Sequence, residues 1–263
     1  MPYARAHWYL MALLAVTVLA FWNSYFGVLA QAPAAHHWHG ITATAWLLLM
    51  ATQSVTIHRG QRLWHRRLGW LLMVLVPLMS GAFALVTWQG AIKAVNQHPF
   101  YLMFGEALLT ADVLLLFTTS LQVYLALKFW RQVHLHSALM LSTVMGLLPP
   151  VLSRLFANWV PGLLITGPDT LYLFEYCLQL SMLVSLLLAV WLYLKHQAHG
   201  WPWILAAMVV ILMYVLYATL GQTLVWQTVV AQLATWSMAW VFATGWLLGL
   251  LACVLGWLHG KRR

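Results

Sequence analysis

The sequence predicts an all-α, polytopic transmembrane helix bundle of about eight helices, with both termini cytoplasmic. Three observations predict it. Only 6% of the 263 residues are charged while 63% are hydrophobic, whereas soluble domains carry about 25% charged residues. Apolar runs long enough to cross a bilayer recur from one end of the chain to the other. The cations then alternate between successive loops as the positive-inside rule requires.

The apolar runs place helices at about residues 8–30, 38–57, 68–89, 100–127, 137–159, 170–194, 202–226 and 234–258, with ends good to about 2–4 residues. The first run is longer than a signal-peptide core, and Asn23, Ser24 and Tyr25 interrupt it, so it reads as an uncleaved helix. Pro149-Pro150 breaks the fifth run, freeing backbone groups that in lipid require a partner inside the protein or a wet cavity. The connection around 160–169 is a turn-rich loop with Pro161, Gly162, Gly167 and Pro168. Gly245-x-x-x-Gly249 in the last run admits close approach of another helix. No run alternates as a barrel strand does. The whole chain, 1–263, reads as one integral-membrane domain.

With the N-terminus cytoplasmic, the inner segments hold Arg5; Arg59, Arg62, Arg66 and Arg67; Lys128 and Arg131; Lys195; and Lys261, Arg262 and Arg263. That is eleven of the 13 Lys and Arg. The outer loops hold Lys93, and Arg154 lies within the fifth run. A bacterial cytoplasmic membrane is the expected location. The formal charge of +9 therefore serves topology, and nucleic acid is excluded as a partner. The bilayer is the partner, with other membrane subunits as further candidates. The cysteines, Cys177 and Cys253, both fall inside apolar runs and read as core thiols rather than a disulfide framework.

Intramembrane ionisable residues are the strongest chemical signal. Counting 1.5 Å per residue from the outer helix ends puts Glu106, Arg154 and Glu175 at about the same depth, roughly 7–9 Å. Asp112 lies deeper. One arginine among carboxylates suggests either a charge cluster pinning helices or a polar pocket open to the outside, since a guanidinium fork binds two acceptors. The histidines form two layers. His36, His37, His39 and His98 lie outside, and His58, His65, His134, His136 and His196 inside. Imidazole binds transition metals and haem iron. A b-type haem or a metal would take His37 or His39 with His98 outside, or His65 with His136 inside, and Glu106 or Glu175 could complete a metal set with His37 and His39. No His-x-x-x-His pair, Cys-x-x-Cys pair or phosphate-binding loop is present.

His37-x-His39-Gly40, then Gln53, His65-Arg66-Arg67-Leu68-Gly69, His136-x-x-x-Met140 and Leu152-x-Arg154-Leu155 together resemble a group of uncharacterised bacterial multi-pass membrane proteins. The likeness covers residues 37–155. Ser137 and Ala138 stand where that group has basic residues. The resemblance implies the fold and the co-occurrence of these motifs, and no activity. The helix-end histidines are also loosely similar to those of membrane cytochromes b. Three functions follow as expectations: a haem- or metal-binding redox protein; a proton- or solute-coupled transporter with Glu106, Asp112, Arg154 and Glu175 along its path; and a non-catalytic subunit or assembly factor.

Overall fold

The computed structural model describes residues 2–262; Arg263, counted above with the inner cations, lies outside them. Among the described residues the regular structure is all helical, with no strand. Its α-helices are α1 (Ala6–Ala20), α2 (Ala34–His58), α3 (Arg62–Gly69), α4 (Leu72–Val95), α5 (Glu106–Lys128), α6 (Val133–Ser142), α7 (Leu148–Trp159), α8 (Leu173–Lys195), α9 (Trp201–Ala218), α10 (Leu224–Thr235) and α11 (Met238–Lys261). Seven segments are long and apolar enough to cross a membrane: α2, α4, α5 with the π-helical turn Tyr101–Gly105 before it, α6–α7 taken together, α8, α9 and α11. The protein is therefore an integral membrane protein of multi-pass form.

The first expected helix stops at Ala20, and a 3-10 turn (Phe26–Gln31) follows. At 15 residues α1 is about 22 Å long, short for a crossing. Its ends are nevertheless fixed at opposite ends of the bundle. Near its start, the carbonyl of Pro2 meets His58 Nε2 at 3.1 Å, and Tyr3 Oη accepts from Trp203 Nε1 at 2.9 Å. At its finish, Leu19 and Ala20 carbonyls accept from Trp159 Nε1 and Asn158 Nδ2 at 3.1 and 2.9 Å. Two further elements depart from expectation. The cationic segment after α2 folds as α3, and a short helix, α10, spans the end of the seventh expected helix, the connection after it and the start of the eighth.

The close approaches of α11 to α4 and α5 use glycine. On α11 a Cβ at Gly245 would stand 2.6 Å from the Ser80 carbonyl of α4, and one at Gly249 2.7 Å from Ser80 Oγ. Without a driving force between apolar helices in lipid, such backbone proximity supplies the dispersion contacts that hold them. Gly256 and Gly260 extend the same stripe against Tyr124 and Leu127 of α5.

The two ends of the molecule differ in charge. Antiparallel packing brings Trp70, Trp130 and Trp257 together at one end, beside the starts or ends of α4, α5 and α11. The cations of the charge-rich segments belong to this basic end. All four side-chain carboxylates lie in the opposite half: Glu106 and Glu175 in the first turns of α5 and α8, Asp112 nearly two turns into α5, and Asp169 in the turn before α8.

Candidate functional site

Helices α2, α4, α5 and α6–α7 surround the centre of the bundle. On α2 the inward positions are His36, His39, Ala43, Trp46, Met50 and Gln53, alternating by three and four residues as one helical face does. On α6–α7 they are His136, Met140, Thr143, Leu147, Pro150 and Arg154, with the same alternation. It survives a break: α6 ends at Ser142, a 3-10 turn occupies Met145–Leu147, and α7 starts at Leu148. The prolines fall in the first turn of α7, where their missing N–H groups leave no bond unmade. The break foreseen from Pro149-Pro150 thus lies just before the prolines and faces the interior.

The register of α2 against α6 is set by one hydrogen bond. Trp46, fully buried, donates through Nε1 to Thr143 Oγ1 at 3.3 Å. Beside it lies a cavity of about 30 Å³ lined by His39, Trp46, Ser80, Phe83, Thr119 and Thr143. That is room for about one water. It is far below the several hundred Å³ of a pocket for a drug-sized or larger group.

Above this cavity, in the acidic half, the interior is polar and short of partners. His39 stacks on Phe83, ring centroids 5.4 Å apart. His36 Nδ1 and His39 Nδ1 are both buried and make no hydrogen bond. Arg154 donates to the Pro150 carbonyl at 2.9 Å and lies 4.8 Å over the ring of Phe21. Its charge is felt by Asp112, Tyr101, His36 and His39. Asp112 projects from α5 on the side of Leu116 and Thr119, which line the cavity one and two turns further along.

The expected partnership of Arg154 with Glu106 and Glu175 is not what the side chains form. Arg154 has Asp112 and Tyr101 as its electrostatic partners. Glu175 accepts from Tyr217 Oη at 2.6 Å and from Gln179 Nε2 at 2.9 Å, between α8 and α9. Glu106 contributes its backbone carbonyl, which accepts from Trp226 Nε1 at 2.7 Å. The outer histidines also separate. His37 Nδ1 meets Tyr25 Oη at 3.0 Å, His39 faces Phe83, and exposed His98 packs edge-on to Tyr101. Among the described residues no three His, Cys, Asp or Glu side chains gather as a metal set.

Below the cavity two of the inner histidines, His65 and His136, come near each other, while His58 meets the Pro2 carbonyl, His134 stacks on His199 and His196 lies against Tyr3. Two turns from Trp46 along α2 is Gln53; two turns from Thr143 back along α6 is His136, so antiparallel register sets them at one depth. His136 Nδ1 meets the Ala126 carbonyl at 2.9 Å, and His65 Nδ1 meets the Gln53 carbonyl at 3.3 Å. A carbonyl only accepts, so each Nδ1 carries the proton and each Nε2 keeps its lone pair. The two rings are within electrostatic reach of each other. Burial holds His65, on the helix between two spans, below the ordinary histidine range, against a smaller upward pull from its carbonyl partner. Gln53 Oε1 is buried nearby without a partner.

Tyr101, Trp46, Thr143 and Ser80 were not singled out from sequence. Tyr101 takes its place through the π-helical turn and through Gly105, whose missing Cβ leaves room for the Tyr101 ring. A π turn leaves no hydropathy trace, although such turns concentrate at functional positions. No family model matches the chain, and neither a curated protein nor a solved structure matches it.

Proposed function

We propose that this is a proton-coupled membrane carrier of the bacterial cytoplasmic membrane, crossing the bilayer eight times with α1 as the first crossing and both termini cytoplasmic. One observation carries the reading. The interior half containing Asp112, Arg154, His36 and His39 has more polar capacity than the protein satisfies. Buried polar groups require partners, so water or a polar solute completes this compartment. Intramembrane ionisable groups of this kind mark proton and solute paths.

The residues divide the work by chemistry. Asp112 is the proton-exchanging group, since a carboxylate without a direct ion pair can be protonated without breaking one. Arg154 is the fixed charge, which favours anionic or electron-rich solutes and sets the electrostatic cost of protonating Asp112. His39 is the neutral relay, one ring nitrogen free toward the compartment and the small cavity beneath it. The discontinuity at Met145–Leu147 supplies the bendable segment beside the cavity. Six residues from the motifs of the resemblance noted above, His39, Gln53, His65, His136, Met140 and Arg154, fall along this line, whereas His37 turns to Tyr25; the shared line supports treating the six as one functional set.

The test is proton flux into proteoliposomes loaded with a pH-sensitive dye, with and without an imposed potential. Wild type should conduct, Asp112→Asn and Arg154→Ala should each lower the flux at least tenfold, and Glu175→Gln should leave it close to wild type. Flux unchanged in both Asp112→Asn and Arg154→Ala discards the reading.

A second reading rests on a separate observation, the convergence of His65 and His136 with Nε2 lone pairs free. A backbone tether at Nδ1 is how metal-ligating histidines are commonly oriented. In this reading the inner pair, with Gln53, binds a transition-metal ion or the iron of a b-type haem, and the protein carries electrons. Elemental analysis and an absorption spectrum decide it. Stoichiometric metal or a Soret band that disappears in His65→Ala and His136→Ala supports redox chemistry; metal-free, colourless wild type removes it.

A further inference from the structure

The basic end carries an arrangement unrelated to the interior line. Trp257 of α11 packs edge-on to Trp70 at 5.0 Å and stacks with Trp130 at 5.8 Å. Arg131 lies 4.7 Å over Trp130 and Lys261 lies 5.3 Å over Trp257. Arg131 Nη1 donates to the Gly260 carbonyl at 2.7 Å. This ties the segment after α5 to the end of α11. Trp70 and Trp130 remain 48% and 37% exposed at the rim of the bundle, where indole rings sit at headgroup level.

Among the described residues no side chain supplies a counter-charge here. The four side-chain carboxylates all belong to the opposite half, so Arg131, Lys261 and Lys128 face no acidic side chain at this end. Cation–π contact orients these groups without neutralising them. Arg131 commits one terminal nitrogen to backbone carbonyls, and a guanidinium has five N–H donors. The remaining donors of Arg131 and the ammonium of Lys261 each lie against an indole of the platform, and Arg131 Nη1 also reaches the Lys261 carbonyl at 3.4 Å, which brings the two residues together at the rim.

We propose that the Trp70–Trp130–Trp257 platform with Arg131 and Lys261 is a binding site for one anionic phospholipid. The phosphate would accept from Arg131 and Lys261, and the acyl chains would run along the lipid-facing sides of α5 and α11. An arginine fork matches phosphate oxygens in pairs, and basic pockets between helix ends on the inner side suit such headgroups. A zwitterionic lipid carries the same phosphate, but its own ammonium would be repelled by Lys128, Arg131 and Lys261. The site therefore discriminates on net charge.

The experiment is native mass spectrometry of the full-length protein in detergent, titrated with phosphatidylglycerol, phosphatidylcholine or inorganic phosphate. Wild type should hold one phosphatidylglycerol in preference to phosphatidylcholine. Lys261→Gln, which leaves the Arg131–Gly260 bond in place, should weaken it roughly fivefold, and Arg131→Gln with Lys261→Gln at least tenfold. Lys93→Gln, at the far end, should leave it unchanged. Equal retention of the two lipids, full retention by the double variant, or equal loss in Lys93→Gln would each overturn the site. So would displacement of the lipid by inorganic phosphate alone at millimolar level, which would show a simple phosphate site.

Discussion

At the scale of single residues, what matters is which nitrogen or oxygen is left over. His65 is the best example. Its Nδ1 is held by the Gln53 carbonyl, and burial lowers its proton affinity from the ordinary value of 6.5. The folded protein thus binds its proton less readily than the unfolded chain. The stability this neutral ring contributes is complete above about pH 6.5 and is lost as pH falls below it, because the unfolded state then takes up more protons. Thermal unfolding in detergent should shift to lower temperature between about pH 7 and pH 5, and His65→Gln should shrink that shift. An undiminished shift in the variant would place the pH sensitivity elsewhere. Residue identity in the sequence pointed to Asp112 and Arg154, because ionisable groups in apolar runs are conspicuous, and to His65 and His136, because histidines gather at the helix ends. It could not show that Glu175 would turn to Tyr217 and Gln179. Depth along a helix is one coordinate, whereas partnership also depends on the direction in which each helix face looks. Glu175, Glu106 and Arg154 share a depth and face different neighbours.

At the scale of elements, the long helices were legible because lipid imposes a length and a composition on them. Interruptions were less so. Pro149-Pro150 signalled a break, yet the turn lies before the prolines, since they suit the start of α7 better than its middle. The ends of α1 and the existence of α10 were not visible, as short apolar stretches fit helix, turn or loop alike. The Gly245 to Gly249 spacing was visible, and the structure gives it a partner. A Cβ at Gly249 would meet Ser80 Oγ, Pro77 Cα and the Val76 carbonyl within 2.7–2.9 Å. Backbone atoms cannot yield as a flexible side chain does, so α11 would have to move off α4. Gly249→Leu should cost about 1–3 kcal/mol, read as lower resistance to thermal unfolding and to protease in detergent micelles. A leucine on the lipid-facing side of the same helix, at Val254, 41% exposed, should cost less than about 0.5 kcal/mol. Equal losses at the two positions would mean that the glycine stripe is incidental to packing.

At the scale of the whole molecule, charge and topology constrain each other. The carboxylates occupy one half, and the basic loops the other, so the molecule has a polar axis across the bilayer. The start of α1 and the end of α11 both reach the basic end: Pro2 meets His58, while Lys261 lies over Trp257 beside Arg131 and Trp130. Seven long helices alone would leave the termini on opposite sides of a membrane. In the proposed eight-crossing topology residues 2–31 supply the further crossing, since α1 runs from the end of the bundle that holds His58 to the end that holds Asn158 and Trp159. The positive-inside rule acts on loops close to helix ends, and on the proposed topology both termini lie in the cytoplasm. Reporter fusions decide the matter. A reporter active only in the cytoplasm should work at either terminus, and one active only outside should work in the loop at 160–167. Removing residues 2–31 should reverse neither the C-terminal reporter nor the loop reporter if the later helices hold the orientation. It should, however, strip Asn158 and Trp159 of their carbonyl partners and lower yield. A C-terminal reporter active only outside the cell would leave an odd number of crossings. It would also place Arg131, Lys261 and the tryptophan platform on the wrong leaflet, so the topology and the lipid site can be tested against each other.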